Sequence, residues 1–154
     1  MSDPSILDRL QSDMATAMKA KDAETLSTLR MLKAALMEAK TRKPKDEMLS
    51  EDESIEVLQR YVKKRRESIE EFTRLGLADR VPSEKKEIEV TQRYLPQGLS
   101  EDEVLREVRE AIRSTGAASP KDMGRVIGAV MGKLKGRAEG STVSRLVKQE
   151  LGGS

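Results

Sequence analysis

Three glycines spaced four residues apart are the feature of this sequence that most strongly suggests binding chemistry. Gly124, Gly128 and Gly132 lie in a stretch whose apolar residues follow the period of one helix face, and the glycines project away from that face. Glycine costs roughly 1 kcal/mol relative to alanine inside a helix, so three of them call for a reason other than helix formation. A strip without side chains allows another backbone to approach closely.

Cations accompany this strip. Lys121, Arg125 and Lys135 project onto the same side of the helix as the glycines. Lysine and arginine beside a smooth strip suit the phosphate backbone of a nucleic acid. The alternative is that another helix packs on the glycines, and the helix pattern alone leaves both interpretations open.

The loop that follows strengthens the case for an anion. It combines Lys133, Lys135 and Arg137 with two flexible glycines, Gly136 and Gly140, and leads into a predicted helix. Helix N-termini bind anions through their free N–H groups, although an ordinary helix–helix turn with a cationic helix C-terminus has the same composition. Aromatic side chains for base stacking are absent here, so we expect recognition of shape and phosphate rather than of unpaired bases. The candidate RNA-binding residues are Lys121, Gly124, Arg125, Gly128, Gly132, Lys133, Lys135, Gly136, Arg137 and Gly140.

Composition argues against a self-sufficient active site. The chain has no His and no Cys, which removes the commonest general base, the commonest metal ligand and every thiol nucleophile. Gly132-Lys133 is not a phosphate loop, because Ile127 and Leu134 stand where that motif needs Gly and Ser or Thr. We therefore expect no catalytic residue, no metal and no cofactor.

Helix-start signals and strong helix formers predict an all-α fold. The predicted N-caps are Asp3 or Ser5, Asp22, Ser50, Ser100, Ser119 and Ser141. Ser50 and Ser100 each open the sequence Ser-Glu-Asp-Glu, a capping box. Pro96 and Gly98 interrupt the pattern after a helix running to Leu95, so the prediction is an N-terminal helical bundle over 1–95 and a small three-helix domain over 96–154.

The remaining charge and hydropathy patterns predict a protein without a membrane segment. The basic run Arg60 to Arg66 is expected to be a solvated helix face paired with Glu67, Glu70 and Glu71. No apolar run approaches spanning length, and no signal peptide is visible at the N-terminus. A cytoplasmic location is the expectation.

Five stretches of the sequence form a specific combination of motifs. They are Leu29-Arg-Met-Leu-Lys33, Tyr94-Leu-Pro96, Lys121-Asp-Met-Gly-Arg-Val-Ile-Gly128, Gly136-Arg-Ala-Glu-Gly140 and Leu146-Val147. In this combination the chain resembles the GatB/YqeY family. The chain is similar to YqeY-like proteins over essentially its whole length. One departure is Glu139, where the family usually carries Asp.

The resemblance implies a helical bundle followed by a small helical domain similar to the tail of the B subunit of the tRNA-dependent amidotransferase. That tail is taken to hold tRNA while chemistry occurs elsewhere, and its motif falls on nine residues of this chain: Met123, Gly124, Arg125, Gly128, Lys133, Lys135, Gly136, Arg137 and Gly140. The expected partners are therefore tRNA or another structured RNA, and the aminoacyl-tRNA or amidotransferase machinery. The alternatives are a protein-interaction module or accessory subunit, or a contribution to carbon–nitrogen ligase activity with glutamine as amido-N-donor.

Overall fold

The computed structural model describes residues 3–152, which form seven α-helices and no β-strand. The all-α prediction is confirmed. The helices are α1 (Ile6–Lys19), α2 (Ala23–Thr41), α3 (Glu51–Arg74), α4 (Val81–Gln92), α5 (Glu101–Thr115), α6 (Met123–Leu134) and α7 (Gly140–Glu150). Two short 3-10 turns, Ala78–Arg80 and Pro120–Asp122, precede α4 and α6.

Side-chain caps fix where four of these helices begin. Ser5 and Asp22 accept hydrogen bonds from the amides of Asp8 and Thr25. Ser50 and Ser100 complete the two predicted capping boxes, each with the glutamate three residues later. Because an N-cap side chain satisfies an amide that the helix leaves unpaired, these starts are determined locally by the sequence.

Three predicted boundaries are wrong. Ser119 precedes a 3-10 turn over Pro120–Asp122, so α6 begins only at Met123 and Ser119 is not its N-cap. The last helix begins at Gly140 with Glu139 at the N-cap position, so Ser141 lies inside the helix and does not cap it. Helix α4 ends at Gln92, three residues before Leu95, although Tyr94 beyond its end is still buried. Tyr94 is held by tertiary contacts: its hydroxyl donates to Asp13, and the Arg9 guanidinium lies 5.2 Å from its ring centroid.

The chain forms two compact units, and the division falls between Leu95 and Pro96. In the N-terminal unit, α1 to α4 enclose a core that includes Leu10, Leu32, Leu58 and Val90, all completely buried. This core is made of the inward stripes of amphipathic helices, which is how an all-α unit hides its apolar surface.

The C-terminal unit packs α5, α6 and α7 around a second core that includes Val108, Val126 and Val143. Two ion pairs join α5 to α7 on its surface, Arg109 with Glu150 and Arg145 with Glu101. None of the described helices in either unit is long and apolar enough to span a membrane.

Candidate nucleic-acid interface

The glycine strip lies on the outer side of α6. This helix buries Val126, Val130 and Leu134 against α5 and α7. Gly124, Gly128 and Gly132 are all exposed, and a Cβ atom added to any of them would meet no heavy atom within 4 Å apart from its chain neighbours and the nearby backbone of the same helix. No described residue of this chain covers the strip, so the glycines are not explained by packing on a helix of their own unit.

The 3-10 turn before α6 changes the predicted placement of the cations. Lys121 lies in this turn and Lys135 follows α6 in the left-handed conformation, with φ of 35°. A helical projection does not apply to either residue, and of the three predicted cations only Arg125 lies within the helix. The prediction that all three cations lie on the glycine side of one helix is therefore wrong for Lys121 and Lys135, which lie outside α6. All three side chains are nevertheless exposed.

Arg125 is held by an acid at the start of its own helix. Its guanidinium lies 3.2 Å from a carboxylate oxygen of Asp122. The Asp122 carboxylate also accepts hydrogen bonds from the amides of Ala118 and Ser119, at 3.0 and 3.4 Å. These backbone hydrogen bonds lower the pKa of Asp122, and the charge of Arg125 lowers it further. Asp122 thus closes the turn and positions Arg125 at one end of the strip.

Lys133 is held in the same way at the other end of α6. Its ammonium group lies 2.6 Å from Glu107 on α5. The hydrogen bond to Glu107 raises the pKa of Lys133, so this side chain is firmly cationic at neutral pH. Both Arg125 and Lys133 are more than half exposed, and exposed ion pairs contribute at most about 1 kcal/mol. A phosphate can therefore compete with Asp122 and Glu107 for these cations.

Arg137 has a structural contact that the sequence did not predict. Its Nε donates to the carbonyl oxygen of Gln97 at 3.2 Å, and its own carbonyl accepts a hydrogen bond from the Leu99 amide at 2.8 Å. These two bonds fasten the segment after Pro96 to the loop between α6 and α7. The guanidinium is otherwise exposed, so Arg137 both orders this segment and presents charge to solvent.

Replacing Arg137 with alanine is expected to loosen the segment that begins at Pro96. Loss of one hydrogen bond of about 1 kcal/mol corresponds to roughly fivefold faster exchange of the Leu99 amide with solvent deuterium. Hydrogen exchange followed by NMR measures this rate. The matched control is Arg125→Ala, which removes a charge from the same unit without touching this segment, and equal rates in the two variants would contradict the assignment.

The predicted site residues thus form one continuous surface segment over 121–140. All of them are exposed except Gly136, which is half-buried in the turn after α6. In helical projection Arg125 lies next to the glycine strip, whereas Lys133 lies on the side of α6 that faces α5, where it pairs with Glu107. The sequence analysis missed three groups that contact these cations: Asp122, Glu107 and the Gln97 carbonyl. Only Asp122 had a signal in the sequence, because an acid three residues after Ser119 fits a capping box.

Net charge is concentrated in the unit that carries this surface. Residues 96–154 contain ten Lys and Arg against eight Asp and Glu, whereas residues 1–95 contain nineteen of each. The formal charge of +2 for the whole chain therefore belongs to the C-terminal unit. Within it, residues 121–151 hold seven basic and three acidic residues.

Comparison with known proteins agrees with the resemblance read from the motifs. The family model described as YqeY-like protein matches residues 7–151. The chain belongs to the YqeY-like family. A relative in the fungus Pyrenophora tritici-repentis, named altered inheritance of mitochondria protein 41, mitochondrial, is 32% identical, and the match covers 96% of this chain and 81% of the relative.

Family membership spans both structural units. The match begins in α1 and ends at the residue that follows α7, so it includes the helices of both units of this YqeY-like chain. The relative's name assigns that protein to mitochondria, and a cytoplasmic location for the present chain stays a prediction.

Proposed function

We propose that the C-terminal unit binds structured RNA, with tRNA as the leading candidate, and that the protein acts as a non-catalytic accessory factor related to the amidotransferase tail. The observation that carries the proposal is the open glycine strip of α6, where nothing apart from the adjoining residues and the nearby backbone of α6 itself lies within 4 Å of the missing Cβ atoms. An exposed strip of this kind gives a sugar-phosphate backbone close access to the helix.

Charge supports the same conclusion. Arg125 and Lys133 stand near the two ends of the helix, and Lys121 is exposed with no ion pair among the described residues. Each cation that contacts a phosphate releases a counterion, which makes affinity depend on salt. The C-terminal unit contains no aromatic residue, so bases are not stacked and the ligand is read by its backbone.

Binding of the full chain to purified tRNA, measured by fluorescence anisotropy across a salt series, tests the proposal. With two to three phosphate contacts, we expect affinity to fall by about tenfold or more between 50 and 200 mM salt. An affinity that is unchanged over this range would count against phosphate recognition.

Gly128→Leu tests the strip itself. The leucine side chain would project from the strip and hold the RNA backbone away, so we expect about tenfold weaker binding, equivalent to ~1.4 kcal/mol. The matched control is Ala129→Leu, which places the same side chain on an exposed position of the same helix turn. Folding should not suffer, because leucine is a better helix former than glycine. If Gly128→Leu lowered the binding free energy and the unfolding free energy equally, a role of Gly128 in packing would be favoured instead.

A protein partner is the second candidate, and the pairing of Arg125 and Lys133 with acids is the observation that favours it. Cations that are already neutralised attract RNA less, while the bare strip equally admits the backbone of another protein's helix. Pull-down of a partner that survives ribonuclease treatment, from a chain that fails to bind tRNA, would support this alternative.

A further inference from the structure

Met31 connects the solvent with a buried hydroxyl group in the N-terminal unit. This residue belongs to α2 and is 43% exposed, so small solutes reach its side chain. Its sulfur nevertheless lies 3.7 Å from the hydroxyl oxygen of Tyr61, a residue of α3 that is only 8% exposed. Among the exposed methionines of residues 3–152, which are Met18, Met31, Met37 and Met48, it is the only one whose sulfur has a polar contact.

The Tyr61 hydroxyl has one hydrogen and two acceptors beside it. The Glu87 carboxylate, at 2.9 Å, receives the stronger hydrogen bond, because a carboxylate is a strong acceptor and the thioether of Met31 a weak one. Glu87 in turn lies 3.6 Å from Arg65, which also lies 3.6 Å from Glu84. The Tyr61 hydroxyl therefore joins Met31 to the charged groups that hold α3 against α4.

We propose that Met31 is an oxidation site for hydroperoxides, and that its sulfoxide weakens the contact between α3 and α4 through Tyr61. In this reaction a lone pair of the sulfur attacks one oxygen of hydrogen peroxide, the O–O bond breaks and an S–O bond forms. The proton on the transferred oxygen goes to the departing hydroxide, which leaves as water. The sulfur loses two electrons and the peroxide gains them, so the products are methionine sulfoxide and water.

A sulfoxide at position 31 competes with Glu87 for the hydroxyl hydrogen of Tyr61. Oxidation replaces a weak acceptor with a polar S=O group at the same place. When Tyr61 donates to that oxygen, the Glu87 side chain, which is only 16% exposed, loses a donor. Depriving a largely buried acceptor of its donor destabilises the fold. Oxidation at the surface is thereby transmitted to a carboxylate that solvent hardly reaches.

Met37 provides a comparison on the same helix. It is 39% exposed, close to the 43% of Met31, and no described polar group contacts its sulfur. Both side chains are therefore similarly accessible to peroxide, but only the oxidation of Met31 is expected to change the contact between α3 and α4. The chain has no cysteine, so no thiol competes with these methionines for the oxidant.

Peroxide treatment of the full chain, followed by urea unfolding, tests the proposal. Peroxide should raise the unfolding equilibrium constant of the unmodified protein about fivefold more than that of Met31→Leu, which is the effect expected of one lost hydrogen bond. Met37→Leu should respond like the unmodified protein. Tyr61→Phe should respond like Met31→Leu, because it lacks the hydroxyl. Mass spectrometry of peptides identifies the oxidised methionines, and methionine sulfoxide reductases should restore the lost stability.

Met31→Gln tests the same contact without an oxidant. Glutamine places an amide oxygen, a permanent acceptor, near the position of the sulfur. This variant should therefore be about as unstable as the oxidised protein, whereas the matched variant Met37→Gln should be close to the unmodified protein. This pair of variants also decides the proposal if Tyr61→Phe does not fold.

Four results would overturn the proposal. The first is a Met31 that stays reduced under conditions that oxidise Met37, and the second is an oxidised protein as stable as the reduced one. The third is protection by Met37→Leu equal to that by Met31→Leu. The fourth is a Tyr61→Phe protein that loses as much stability on oxidation as the unmodified protein. None of them bears on RNA binding, which is assigned to the C-terminal unit.

Discussion

Replacing Gly124, Gly128 and Gly132 together with alanine is expected to stabilise the C-terminal unit by about 1–3 kcal/mol. Each glycine lies in helical backbone, and each has room for a Cβ atom, so the substitution removes a helix-propensity cost without introducing a clash. Gly128, in the middle of α6, should contribute most, because helix ends tolerate glycine better than helix centres. Urea unfolding followed by circular dichroism measures the gain.

Gly116→Ala is the matched control for that experiment. A Cβ atom there would also meet nothing within 4 Å, but Gly116 ends α5 in the left-handed conformation, with φ of 71°. Alanine is strained in this conformation, so this single substitution should destabilise the unit by about 1 kcal/mol. If the triple variant were destabilised as well, the glycines would have a role in folding that the open space around them does not suggest.

The stabilised triple variant also separates folding from function. Three added methyl groups make the strip thicker without changing any charge. If the strip is the surface against which RNA lies, the variant should bind tRNA more weakly although it is more stable. Weaker binding by a more stable variant would show that the glycines serve a contact outside the fold.

Local signals in the sequence predicted most of the fold. The Ser-Glu-Asp-Glu sequences at Ser50 and Ser100 fix the starts of α3 and α5, because both hydrogen bonds of a capping box are made within four residues. Gly76 and Gly116 have positive φ at the ends of α3 and α5, as expected of residues that terminate helices. The apolar period of the glycine-striped stretch also predicted the buried side of α6, which carries Val126, Val130 and Leu134.

Features that depend on distant residues were not predictable in this way. The expected partners of the basic run on α3 lay on the same helix, yet Arg65 turns inward and pairs with two acids of α4. Lys133 likewise finds Glu107 on another helix. A helical projection also fails wherever the helix does not continue, as the 3-10 turn at Lys121 and the left-handed Lys135 show. The openness of the glycine strip was left undecided by the sequence for the same reason, since only tertiary packing determines it.

Arg65 is the centre of a partly buried polar cluster between α3 and α4. Its guanidinium lies 3.6 Å from both Glu84 and Glu87, whose side chains are only 15% and 16% exposed. It also lies 5.0 Å from the ring centroid of Tyr61, and the Tyr61 hydroxyl donates to Glu87 at 2.9 Å. One cation thus lies beside two carboxylates that are largely removed from water. Burial raises the pKa of Glu84, Arg65 opposes this rise, and Glu87 adds to it.

Arg65→Met is expected to destabilise the N-terminal unit by about 2–4 kcal/mol at pH 7, because two partly buried carboxylates lose the cation that they share. Methionine keeps an unbranched apolar side chain at this position, so the loss of stability reflects the removed charge more than the removed volume. Burial already raises the pKa of Glu84, and removing the opposing charge of Arg65 would raise it further above that of the unfolded chain. Protonation of Glu84 restores stability, so the deficit should shrink as pH falls toward about 4.5. Urea unfolding of the variant and of the unmodified protein at each pH measures this deficit in unfolding free energy. A deficit that does not change with pH would contradict an electrostatic origin.

Glu84→Gln is the complementary variant and should change stability in the opposite direction. A group whose folded pKa is raised stabilises the fold below its unfolded pKa and loses that contribution as pH rises through its folded pKa. Glutamine mimics the protonated form, so the variant should be more stable than the unmodified protein at pH 7 and about equal to it near pH 4. The hydrogen bond from Lys43 lowers the pKa of Glu53 to about 2, so Glu53 gives stability the opposite pH dependence. The variant must therefore be compared with the unmodified protein at each pH. If Glu84→Gln were instead less stable at pH 7, the attraction of Arg65 would outweigh the cost of burying the charge.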